Sequence, residues 1–88
     1  MVEDLKVWGL IKDGEKIIKS LVIEENSINE CLLKICYEFD IEKPVWLKKH
    51  DNEINDFGRV VFKPVDFIEN VMFSSFELEV LKRKEDRN

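Results

Sequence analysis

No stretch of this sequence approaches the roughly 20 consecutive apolar residues that a membrane-crossing helix needs. The opening Met1-Val2-Glu3-Asp4 is acidic where a secretion signal is basic. Together these lead us to expect a cytoplasmic protein with no membrane contact. With one histidine and two cysteines in the chain, a Cys/His zinc set is out of reach. Cys31 and Cys36 stand five apart in a segment that reads as helix. At about 100° per residue they point to different sides, so an intrahelical disulfide is excluded by geometry. They read as buried, reduced thiols. Alanine, threonine and glutamine are absent, while Lys, Ile, Asn and Phe are abundant. That bias suits AT-rich codons and suggests a bacterial source. No catalytic or cofactor motif is present, so the reading is of a non-enzyme without cofactor or metal.

What the chain does have is the make-up of one folded domain. Its 88 residues are 44% hydrophobic and 38% charged, enough for one modest core without staples. We place the domain at residues 1–81 and expect 82–88, a run of charges, to fray as a tail. The net charge is −5.

Asp13-Gly14 lies between two apolar runs, a strong hairpin signal because both central positions of the favoured turn need positive φ. Closed there, the ribbon pairs Lys12 with Glu15 and Ile11 with Lys16. One face then carries Leu5 with Val22, Val7 with Ser20, Gly9 with Ile18, and Ile11. The other carries Leu10 with Ile17, Trp8 with Lys19, and Lys6 with Leu21. The small residues Gly9 and Ser20 mark the first face as the one on which a helix docks.

That helix is announced by Ser27-Ile28-Asn29-Glu30, the spacing of a capping box. Ile28, Cys31, Leu32, Ile35 and Phe39 follow on one helical face. Pro44 disfavours helical geometry at Lys43, so the helix should end near Asp40. Leu47, His50, Ile54 and Phe57 suggest a short second helix stopped by Gly58. Arg59 to Lys63 could form a strand. Pro64 to Glu69 reads as a loop with one helical turn, Asp66 and Glu69 having capping-box spacing. Phe76, Leu78 and Val80 alternate with Glu77 and Glu79 as a strand with one wet face.

The fold class is therefore α+β. A ββα…β order builds an antiparallel or mixed sheet of three to four strands with one main helix on one face and a short second helix. In element order this resembles the β-grasp architecture.

Three functional readings follow. In the first, the chain is an interaction module that binds a protein partner or forms a homodimer. Its contact is the second hairpin face, with Trp8, Leu10, Ile17, Lys19 and Leu21, where aromatic anchors in a half-covered apolar patch suit an interface. The stems of Lys6 and Lys19 could cover Trp8. In the second, Trp46, His50, Phe57 and Arg59 line a small-ligand or enzymatic pocket, Arg59 holding an anion and His50 moving a proton. Against it, His50 falls on an apolar helical stripe, where a packed, hydrogen-bonded ring is the simpler account.

The third is nucleic-acid binding through Lys43 to Lys63, which carries five basic against three acidic residues. Residues 1–42 carry ten acids against five bases and would repel phosphates, which places this reading last. Asp51 to Asp56 alternates oxygen side chains like a calcium loop, but Asp56 stands where that loop needs glycine and Phe62 where it needs glutamate.

Overall fold

The computed structural model describes residues 5–82. The chain runs β1 (Leu5–Asp13), β2 (Lys16–Glu25), α1 (Ile28–Phe39), α2 (Lys48–Phe57), β3 (Arg59–Phe62), a 3₁₀ turn (Pro64–Asp66) and β4 (Ser75–Lys82). All pairings in the four-stranded sheet are antiparallel, and the order is β2-β1-β4-β3. The α+β class and the main and second helices are as expected, and of the two sheet types foreseen the antiparallel one forms. Lys82, assigned above to the tail, still belongs to β4. The rest of that tail lies outside the described residues.

α1 begins where the cap predicts. The Ser27 hydroxyl accepts from the Glu30 amide at 3.2 Å, satisfying one of the amides that a helix start leaves open. Cys31, Leu32, Ile35, Cys36 and Phe39 are buried, while Asn29, Lys34 and Glu38 face water. The helix stops at Asp40, which takes the left-handed conformation at φ 59°. There the Asp40 and Ile41 amides return to the carbonyls of Tyr37 and Cys36, the reverse turn that closes many helices.

α1 lies against β1 at Gly9. A Cβ placed on Gly9 would stand 2.8 and 2.9 Å from the Cγ2 and Cδ1 atoms of Ile35. Only a residue without a side chain permits this approach. Around it Val7, Ile11, Leu32, Val60, Phe62, Phe76 and Leu78 form the core. Phe62 and Phe76 stack across β3 and β4 at 5.8 Å, and Phe39 meets Phe76 edge-on at 6.3 Å.

α2 shields the β3 side of this layer. His50 and Ile54 are its buried residues, Gly58 closes it at φ 70°, and the Glu53 carboxylate accepts the Val61 amide at 3.3 Å. That bond occupies a strand-edge donor that would otherwise invite another strand. Phe57, expected on the apolar stripe, is exposed. Asp66 acts one turn earlier than its spacing with Glu69 suggests: its carboxylate accepts the Lys63 amide at 2.9 Å.

The hairpin register differs from the simplest expectation. The pairs at the turn are Asp13 with Lys16 and Lys12 with Ile17, and beyond a bulge they run from Ile11 with Lys19 to Leu5 with Glu25. The turn therefore centres on Gly14-Glu15. Among residues 13–15 only Gly14 has positive φ, at 67°, so the pattern is that of a turn needing one such residue, at its first central position. Ser74 fixes it there, accepting the Gly14 amide at 2.8 Å and bonding Asp13 Oδ1 at 3.2 Å.

Ile18 is the extra residue of the bulge. Its insertion puts Leu21 and Ile23 opposite Gly9 and Val7 on the helix side, and Ser20 and Val22 opposite Leu10 and Trp8 on the other. The faces of β1 are as predicted, and Ile17 keeps its face; beyond the bulge those of β2 are exchanged, since an odd shift in register turns every side chain over.

Gly9→Ala is expected to lower stability by about 1–3 kcal/mol through overpacking against Ile35. Urea denaturation checks this, and an unchanged midpoint would mean that α1 does not seat on Gly9.

Candidate functional site

With both helices on one side, the other face of the sheet meets solvent. Along β1 it presents Lys6, Trp8, Leu10 and Lys12; along β2, Ile17, Ser20, Val22 and Glu24; along β4, Glu77 and Glu79; along β3, Arg59 and Val61. Ile17 and Val22 are 47% and 49% exposed, and Trp8 is partly so. Leu10, on this face by register, is buried at 3%. Lys12 pairs with Glu77 at 3.2 Å and Lys6 with Glu24 at 3.4 Å, and Arg59 stands opposite Glu79. The result is an apolar strip of Trp8, Leu10 and Val22 flanked by charges of both signs.

Of the five residues expected on an interface, Trp8, Leu10 and Ile17 share this face. Lys19 and Leu21 lie on the helix side, because the bulge exchanges the faces of β2. Leu21 packs against the core, and the Lys19 ammonium reaches the carbonyl of Phe39 at 3.3 Å. Val22, Glu77 and Glu79 join the face instead. The two glutamates were readable as the wet side of β4; Val22 could not be placed without the bulge.

The Trp46, His50, Phe57 and Arg59 set does not converge on one surface. Trp46 and His50 are neighbours, with ring centroids 6.1 Å apart, and His50 lies 4.5 Å from Phe62. Phe57 is 77% exposed, and Arg59 points to the open sheet face. The His50 ring is fully buried. Its Nδ1 accepts the Leu47 amide at 2.9 Å, so a neutral ring carries its proton on Nε2. Nε2 faces Asp66 Oδ2 at 3.5 Å, too long for a well-formed bond. Asp66 in turn holds the Lys63 amide through its side chain, and its carbonyl accepts from Val45 at 2.8 Å. The Val45–Asp66 bond ties the segment before α2 to the turn after β3, and the His50 ring packs at that corner. Trp46 closes the same corner, donating from Nε1 to Asp51 at 3.0 Å.

The basic residues of the middle segment are spread over several elements: Lys48 and Lys49 on the first turn of α2, Arg59 on β3, and Lys43 and Lys63 in the connections. Asp51 to Asp56 lies within α2. Among the described residues no group of three or more His, Cys, Asp or Glu side chains is placed to hold a metal ion, and no helix is long and apolar enough to cross a membrane.

A second feature is a groove of about 390 Å³ between the turn end of the sheet, the end of α1 and the 69–73 loop. The bulged Ile18 forms one wall and Met72, 95% exposed, another. Asp40, Glu42 and Glu69 stand at its rim, with Lys19. Sequence reasoning missed it because it joins three segments through the bulge. No family model, curated protein or solved structure matches this chain.

Both cysteines are free and buried on α1. Burial pushes the Cys31 thiol from its ordinary 9.0 to about 11 and that of Cys36 to about 12. The unfolded chain therefore ionises these thiols first. Their contribution is fully present below about pH 9 and is lost above it, by up to about 1.4 kcal/mol per pH unit per thiol. The urea midpoint should fall more steeply between about pH 9 and pH 11 for the native chain than for a Cys31→Ala/Cys36→Ala variant; parallel falls would show that the thiols do not contribute.

Proposed function

We propose that this chain is a non-catalytic interaction module that binds a protein surface through its open sheet face, with a second copy of itself as the occupant the charges favour. The observation that carries the reading is the apolar strip of Trp8, Leu10 and Val22 on a face that no helix covers. The cations Lys6, Lys12 and Arg59 and the anions Glu24, Glu77 and Glu79 surround it, and the register sets Lys82 opposite Lys6. On a chain of −5, this face is not acidic, with four cationic positions against three anionic ones. A second copy can therefore approach it without the repulsion met elsewhere, and the interleaved signs can pair across a two-fold axis.

Its size sets the strength. Four strands about 4.8 Å apart and some eight residues long, at about 3.3 Å each, make a patch of roughly 500 Å². Two copies would bury about 1,000 Å² in total, the lower edge of specific interfaces. That supports a reversible dimer, of roughly micromolar affinity or weaker.

Sedimentation equilibrium over a wide concentration range is expected to show a mass rising toward the dimer. Trp8→Glu should remain a monomer with a native circular dichroism spectrum, since an unpaired carboxylate in the contact weakens it by about a hundredfold or more. Val22→Glu, at a more exposed position, should do the same. A native chain that stays monomeric throughout would overturn self-pairing, and loss of fold in both variants would make the strip core rather than contact.

A further inference from the structure

The groove beside α1 is unlike the sheet face in charge. Its walls and floor are apolar, with Ile11, Ile18, Phe39, Ile41, Val71 and Met72. Its rim has Asp40, Glu42 and Glu69 against Lys19 alone, a local charge of −2. The carbonyl end of α1 opens beside it and adds about half a negative charge, and the last turn of the helix holds no basic residue. Lys19 already shows what this pole attracts: its ammonium donates to the Phe39 carbonyl. Glu42 holds the far lip in place by accepting the Glu69 amide at 3.2 Å.

Asp40 is the residue that the fold itself does not favour. It sits in the left-handed region, where glycine fits at no steric cost. Its carboxylate stands at the negative end of the helix, where a cation would be favoured. Asp40 is exposed and lines the groove, and its carboxylate forms none of the salt bridges among the described residues. A carboxylate that weakens the helix end while facing an apolar groove is placed for something outside the chain.

We propose that this groove binds an extended basic–apolar segment of a partner polypeptide. An apolar side chain enters between Ile18 and Met72, and a neighbouring lysine or arginine meets Asp40, Glu42 and Glu69. At about 390 Å³ the space is at the small end of ligand sites and suits one or two side chains. The rim repels phosphate backbones, and a second copy of a −5 chain is a poor source of the cation. The proposal is independent of the sheet face.

The test is a ¹⁵N–¹H correlation titration of the full chain with a capped hexapeptide alternating leucine and arginine. Controls alternate leucine with glutamate, and serine with arginine. Shifts are expected at residues 39–42 and 69–73 with the first peptide only. Glu69→Lys should weaken binding about tenfold or more. Asp40→Gly should weaken binding and yet raise Tm, a pair of opposite signs that a structural role would not produce. Absence of shifts at millimolar peptide, equal shifts with the serine–arginine peptide, shifts confined to the Trp8 face, or a lowered Tm in Asp40→Gly would overturn the proposal.

Discussion

Gly14 supplies the only positive φ in the hairpin turn, and Ser74, arriving from just before β4, holds its amide. The turn therefore centres one residue later than the Asp-Gly pair alone would suggest. The bulge at Ile18 then adds one residue to β2. Together these two local events decide which side chains of β2 meet α1 and which meet water. Leu21 and Ile23 join the core, Val22 comes to lie beside Trp8, and Ile18 turns toward the end of α1. Which β2 side chains line the bare sheet face and the groove follows from that register, since a bulge commonly redirects a side chain where a strand pairing is interrupted.

The elements themselves were readable from local pattern because each carries its own physical signal. Ser27 with Glu30, the stripe from Ile28 to Phe39, Gly58 after Phe57, and the alternation from Phe76 to Val80 all act within a few residues. Gly9 was readable too, as a small residue where a helix must approach. The register was not readable, because the bond that fixes the turn comes from sixty residues away in the chain. Consequently Trp8 and Leu10 of β1 were placed correctly on the open sheet face, while Lys19 and Leu21 were placed on the wrong side of β2 and Val22 was missed. His50 illustrates the limit in another way. Its spacing marked it as inward-facing, but Asp66 comes beside its Nε2 only once the turn after β3 folds back onto α2.

The two surfaces differ in the way that partner choice requires. The sheet face mixes charges of both signs around an apolar strip and, in the function proposed, meets a surface of similar kind. The groove is acidic around an apolar floor and suits a basic one. Electrostatic complementarity of this sort governs encounter and selectivity more than raw affinity. A small chain with a single helical layer has surface to spare for both, because half of its sheet is not needed to close the core.

The account rests on the register of the hairpin, and cross-strand nuclear Overhauser contacts report it directly. Contacts of Trp8 with Val22 and of Val7 with Ile23 are the expected result. Contacts of Trp8 with Lys19 and of Val7 with Ser20 would place the turn on Asp13-Gly14 without a bulge. They would return Lys19 and Leu21 to the open face and remove the basis of both surfaces described above.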